Sequence, residues 1–381
     1  MNPSQSKMPP YGPLTTSPGM PPKKTGSIAR NTLIRIGFRM SAVVLIMTGI
    51  AYYHVVSVVT EQNLEKLGKY VEERVARERQ IFTLAEENHA ALKVEIGRRL
   101  EAMGDTDPQE EFDRTYAAFP DGTIRTRLEG FDGTRQAFGF FGRSVKPTPD
   151  LRRRSIIFRD LSNQFGSAWH HRLQNVYFTT PENVLIGYWP DVPDWAHAAA
   201  ADLHMPSEEW VWAADLEHNP SRDTVWTGLF FDEASSTWML SAETPVDYGG
   251  RQIATIGHDI ILAELFDRTI NDNLEGAHNL IFRADGRLIA HQTMMEQIKK
   301  SGGGLTIQNS GDESLKQIYQ LIQDAHAESG FLENSGFDQY FAFAKLVEPG
   351  WYFVEVFPND LVESVAFDTA RIVLVFGALS L

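Results

Sequence analysis

A carboxylate stands where a strand should be apolar. The run IATIGHDIIL at 253–262 has the composition of a buried strand leading into a helix, yet it carries Asp259. Alternation puts Thr255, Gly257 and Asp259 on one face, and Ala254, Ile256, His258 and Ile260 on the other. A buried carboxylate needs a partner: an arginine, backbone N–H groups, or the positive group of a ligand. Gly257, on the same face, would let a ligand approach the backbone closely.

Seven of the eight tryptophans lie between positions 169 and 238: Trp169, Trp189, Trp195, Trp210, Trp212, Trp226 and Trp238. Aromatic walls with a few polar groups are what a small-molecule pocket requires; packing of an aromatic core is the competing use. Trp210, Trp212, Trp226, Asp232, Trp238, Tyr248, Asp259 and Arg222 form the candidate ligand-binding set. Trp210 and Trp212 share a face if 209–213 is a strand. Arg222 offers an anion contact from its loop.

Other chemistries find less support. His170-His171 and the scattered histidines lack the spacing of a metal motif and read as surface residues. The pairs Glu208-Glu209 and Asp232-Glu233 could suggest a glycosidase, but neighbours on a strand point to opposite faces, so each pair offers one inward acid. The Asp-Gly turns at Asp121-Gly122-Thr123 and Asp132-Gly133-Thr134 lack the ligand spacing of an EF-hand. No cofactor and no metal are expected, and no enzymatic activity in this region.

These residues must be positioned by a chain of 381 residues, long enough for two or three compact domains. There is no cysteine, which excludes disulfides, thiol catalysis and cysteine metal sites. The net charge of −15 is uneven: the first 39 residues hold six basic residues and no acid, leaving 21 net negative charges on the remainder. Such an acidic body argues against nucleic acid as a partner.

Positions 40–59, MSAVVLIMTGIAYYHVVSVV, are twenty residues without a formal charge. As a helix they would run ~30 Å, about one hydrocarbon core. This reads as a retained transmembrane helix over 40–60, with a cleaved signal peptide as the rival. The basic residues before it place 1–39, a disordered basic tail, in the cytoplasm. The apolar segment at the C-terminus reads as the start of a second transmembrane helix over 366–381, with a missing cytoplasmic domain beyond it.

After the first span, Leu64, Leu67, Val71, Val75, Phe82, Ala85, Leu92, Ile96 and Leu100 recur at helical spacing, predicting a stalk helix over 61–105. Arg152-Arg153-Arg154 opens a helical segment reaching about Arg172 and reads as a solvated face. A loop with a short helix is expected over 190–207, then strands at 209–213, 225–231, 237–244 and 251–260 with hairpin-length links. A second unit reads as a hairpin through Asp285-Gly286, a helix over 312–327, and strands at 339–346 and 351–357. The fold class is α+β: a long N-terminal stalk helix with two PAS-like antiparallel-sheet modules, flanked by transmembrane helices.

This arrangement resembles the double Cache sensor domain of bacterial transmembrane receptors. WMLSAETPV at 238–246 followed by GRQIATIGHDI at 250–260 looks like that family's distal-module ending. LIFRADGRLIAH at 280–291 looks like the hairpin opening the proximal module, and 351–357 like its last strand. The resemblance covers about 61–365. It implies a membrane-distal module over 106–265 and a membrane-proximal module over 266–365, both in the periplasm, anchored in the inner membrane. It also implies a homodimer, a small-molecule ligand in the distal module, and an output domain such as a histidine kinase of a two-component system or a nucleotide cyclase. In amino-acid-sensing members the aspartate matching Asp259 holds the ligand's ammonium, and an Arg-aromatic-aromatic strand holds its carboxylate. The corresponding segment here, Glu208-Glu209-Trp210-Val211-Trp212, has no arginine, which tilts the expected ligand toward an amine rather than an amino acid. A membrane-anchored periplasmic hydrolase and a ligand-free structural ectodomain remain the alternatives.

Overall fold

The computed structural model describes residues 28–265, 270, 274 and 276–380. The chain divides into two compact units, one of 1–57 with 367–381 and one of 58–366. Residues 1–27 of the expected tail lie outside the described residues. The long helix begins at Ile28 and runs to Met103, so 28–39, expected within the disordered tail, are helical. In the smaller unit Leu33, Ile34, Leu45, Ile46, Ile372 and Phe376 turn outward. By length and composition, one helix among the described residues can cross a membrane, and its apolar stretch lies near the N-terminus.

In the larger unit the long helix buries the apolar positions read from its periodicity. Val71, Val75, Phe82 and Ala85 enter one core, and Leu92, Ile96 and Leu100 another. Gly104 ends the helix at a positive φ of 55°, and its N–H donates to the Leu100 carbonyl. This is the left-handed helix ending that glycine adopts without steric cost.

The first sheet contains β1 (Tyr116–Ala118), β2 (Ile124–Thr126), β3 (Phe138–Phe141), β4 (Val176–Thr180), β5 (Val184–Tyr188), β6 (Val225–Trp226), β7 (Phe230–Asp232), β8 (Thr237–Tyr248) and β9 (Arg251–Ile261). Their spatial order is β1-β2-β3-β5-β4-β9-β8-β6, with β7 also on β8. One face packs on the long helix and on the helix Pro149–Leu161. That helix is capped by the Thr148 side chain and led by proline at its first turn. The opposite face carries an aromatic core of Phe138, Phe140, Tyr177, Trp189, Trp195 and Trp210.

The second sheet contains β10 (His278–Arg283), β11 (Leu288–His291), β12 (Ser329–Asn334), β13 (Gln339–Leu346) and β14 (Trp351–Pro358), ordered β11-β10-β14-β13-β12. One face meets the long helix through Ala342, Ala344 and Phe353. The other is covered by the helices Met295–Lys300 and Glu313–Ala325. A long helix followed by two antiparallel-sheet modules is the α+β architecture that the double Cache resemblance implies.

Two local expectations are corrected. Residues 209–213 are not a strand: Glu209–Trp212 is a short helix with backbone bonds reaching back three and four residues, from the Val211 and Trp212 N–H groups to Glu208 and from that of Ala213 to Glu209. In a helix, residues two apart lie about 200° around the axis, so Trp210 and Trp212 lose the shared face a strand would give them. The basic triplet is not simply solvated either. Arg154 is buried, donating to Asp150, Glu182 and the Ile253 carbonyl.

Candidate ligand-binding site

β8 and β9 form a long hairpin turned by Gly249 and Gly250, at φ of 61° and 80°. Two consecutive positive φ angles are what a tight hairpin turn demands. A bulge at Val246/Asp247 then shifts the register by one residue. The shift sets Ser241 opposite Asp259 and Glu243 opposite Gly257. On the other side of β9, Tyr177 of β4 lies opposite Gly257. Directly opposed residues point to the same face, so this face gathers Ser241, Glu243, Tyr177 and Asp259.

Asp259 is buried and has three side-chain donors. Ser241 Oγ donates to Oδ1 at 2.5 Å, Tyr177 Oη to Oδ1 at 3.0 Å, and Asn175 Nδ2 to Oδ2 at 2.6 Å. Asn175 also accepts from the Asp259 backbone N–H at 2.9 Å. Burial raises the Asp259 carboxyl to about 6, against the pull of those donors. Asp232 adds a smaller push in the same direction.

The Tyr177 hydroxyl also lies 2.5 Å from Glu243 Oε1. A phenol has one proton, so it cannot donate to both carboxylates. Burial holds the Glu243 carboxyl well above its ordinary range. Of the two carboxyls, burial therefore favours the neutral form at Glu243, and in that form Glu243 donates to Tyr177, which donates to Asp259. Glu243 Oε2 has no hydrogen-bond partner among the described residues.

Gly257 serves a different purpose from the one expected of it. A Cβ there would overlap the Tyr177 ring. The glycine makes room for that ring, and the Tyr177 side chain fills the space once assigned to a ligand.

Two of the donors, Asn175 and Tyr177, and Asp259 itself border a small cavity of about 30 Å³. By volume it admits about two water molecules. Its wall is aromatic, with Phe138, Tyr177, Tyr188, Trp189, Trp195, Trp210 and Phe230. Phe138 stacks on Trp195 at 5.4 Å between centroids, and Trp210 on Phe230 at 6.2 Å. Asp232 lines it too, accepting from Trp195 Nε1 at 3.0 Å and from the Ser235 N–H at 2.9 Å. No lysine or arginine is found among its described lining residues.

Of the eight candidate residues, Trp210, Asp232 and Asp259 meet at this cavity. The other five lie elsewhere. Trp212 packs on His218. Trp226 sits between Phe82 and Trp351 and donates to Glu86. Trp238 packs with Phe231 and the core of the second sheet. Tyr248 is exposed at the hairpin tip. Arg222 holds Asp247 in a two-armed ion pair. The residues not anticipated are Asn175, Tyr177, Ser241 and Glu243, while Trp189 and Trp195, outside the eight, come from the tryptophan cluster seen in the sequence.

The reverse face of β9 carries His258. Its Nδ1 lies 2.6 Å from Nε2 of His89 on the long helix, whose Nδ1 lies 2.7 Å from Thr244 Oγ1. Burial pushes His258 down to about 3 and His89 well below the ordinary imidazole range. Both rings are neutral at physiological pH.

No family model matches the sequence, and no curated protein does. Among solved structures the chain is similar to the ligand-binding domain of the Pseudomonas fluorescens chemoreceptor CtaA, in complex with L-isoleucine. The identity is 11%, with 81% of this chain and 98% of that one covered, at a TM-score of 0.46. It is also similar to the sensory domain of the Campylobacter jejuni chemoreceptor Tlp3 with isoleucine bound. There the identity is 12%, with 80% and 98% covered, at a TM-score of 0.41.

Proposed function

We propose that residues 61–365 are the extracytoplasmic sensor of a transmembrane receptor, with a small cationic molecule bound at Asp259. The observation that carries this reading is an aromatic cavity with an ionisable aspartate in its wall and, among the described lining residues, no cation to neutralise it. A carboxylate offers about four acceptor positions. Ser241, Tyr177 and Asn175 use three, which leaves one on Oδ2 for an ammonium group. Aromatic faces around such a group add cation–π attraction. An amine or amino acid is the class of ligand that fits.

The ligand must displace part of the wall, because the cavity holds about two waters. The helix Glu209–Trp212 is the short element available to move. Trp210 lines the cavity, and Glu209 pairs with Arg283 and Arg287 of the second sheet. In this reading a shift of order 1–2 Å passes from that helix to the proximal module. It requires a ligand that prefers one of two states. The distal module is 106–265 and the proximal module 266–365, both periplasmic, with inner-membrane spans over 40–60 and from 366 onward. The stalk over 61–105 mediates a homodimer. A cytoplasmic signalling enzyme, such as a histidine kinase or nucleotide cyclase, receives the signal.

Thermal-shift screening of the full chain in detergent tests this, with amines, amino acids and organic acids as probes. Amines or amino acids should raise the midpoint, and Asp259→Asn should abolish the rise while the variant still melts cooperatively. A midpoint unmoved by every compound, or moved equally in the variant, would refute the reading.

A further inference from the structure

Trp189 directly follows β5, and Asn175 directly precedes β4, so the two flank the cross-strand pair of Tyr188 and Val176. The Trp189 side chain is 3% exposed and lines the cavity. Its Nε1 has no hydrogen-bond partner among the described residues. The neighbouring indole of Trp195 is satisfied by Asp232. A buried N–H without an acceptor is costly, and it cannot be met by an ammonium, which has only donors. A guest that meets this N–H must therefore bring an acceptor as well as a positive charge.

The charge of the wall restricts that acceptor. Asp259 and Asp232 both line the cavity, and among the described residues no lysine or arginine does. A carboxylate on the guest would be buried beside two aspartates, with no counter-charge among the described lining residues. A neutral acceptor meets no such opposition.

We propose that the ligand is a primary amine carrying a neutral hydrogen-bond acceptor, an amide carbonyl or a hydroxyl. The acceptor receives a hydrogen bond from Trp189 Nε1–H while the ammonium donates to Asp259 Oδ2. The inference rests on the reading of this cavity as the sensor site. It separates amino amides and amino alcohols from free α-amino acids and from simple alkylamines.

The test is calorimetric titration of the full chain in detergent at pH 7.5 with matched triads. Each triad comprises an α-amino acid, its primary amide and the amine lacking the carboxyl group, with side chains from methyl to benzyl. The amide should bind roughly five- to twentyfold more tightly than the amine, and the amino acid most weakly. Trp189→Phe removes the donor and keeps an aromatic ring. It should bring the amide down to the amine's affinity and leave the amine unchanged. An amino acid binding as tightly as its amide overturns the inference but leaves the sensor reading intact. So does an amide-to-amine ratio unchanged in Trp189→Phe. If that variant does not fold, the wild-type ranking decides alone. Binding by no member of any triad overturns both.

Discussion

Glu209 Oε2 lies 3.0 Å from Arg287 Nη1, so the helix bordering the cavity of the first sheet is tied to the β10–β11 hairpin of the second. Trp210, the next residue, lines the cavity itself. The two side chains make one short element into a link between the cavity and the second sheet. The ion pair is part-exposed, so it adds at most about 1 kcal/mol to stability, and its value lies in connection. Glu209→Gln should leave amine affinity within about threefold of wild type. Hydrogen exchange should show ligand-induced protection of β10 and β11 in the wild type and its loss in the variant. Equal protection in both would exclude this route.

The buried pair His89 and His258 makes the fold acid-sensitive where the long helix meets β9. Both imidazoles have depressed pKa values, His258 to about 3. Unfolded, each takes up a proton near pH 6.5. Their contribution is therefore fully present above about pH 6.5 and is lost as pH falls toward 3. At pH 5, His258 alone accounts for about 2 kcal/mol of that loss. Asp259 and Glu243, raised in the fold, act in the opposite sense, so the comparison must be between variants. Thermal melts at pH 7.5 and pH 5 should show a smaller acid drop for His258→Gln than for wild type. An identical drop would show that the pair does not control acid stability.

Gly257→Ala places a methyl group into the Tyr177 ring. Tyr177 is packed between Asp259, Glu243 and Trp210 and has little room to retreat. The expected cost is about 2–3 kcal/mol, with amine binding lost because the Tyr177 hydroxyl leaves Asp259. Chemical denaturation measures the first and calorimetry the second. A variant as stable as wild type would mean that the ring can move aside.

The parts of this fold legible in the sequence are those governed by long local patterns. The long helix could be read because its apolar positions recur over many turns, and those seven from Val71 to Leu100 are buried. The facing of Asp259 away from His258 follows from alternation alone. The partners of Asp259 were not legible, because they depend on register between strands distant in sequence. Counting back from the Gly249-Gly250 turn without a bulge would put Ser241 opposite His258. The single bulge at Val246/Asp247 moves it to Asp259, and nothing in the local composition announces that bulge. Segment 209–213 failed for the opposite reason: five residues are too short for helix and strand periods to be told apart.

The most direct test of the Asp259 site is the affinity of the tightest-binding amine for the full chain, titrated calorimetrically at pH 7.5 and pH 5. With the free carboxyl at about 6, Asp259 is almost fully ionised at the higher pH and about one-tenth ionised at the lower. Binding should weaken roughly tenfold between them, and Asp259→Asn should bind poorly at both. Equal affinity at the two pH values, with Asp259→Asn binding like wild type, would show that Asp259 is a structural carboxylate and not the seat of a cation.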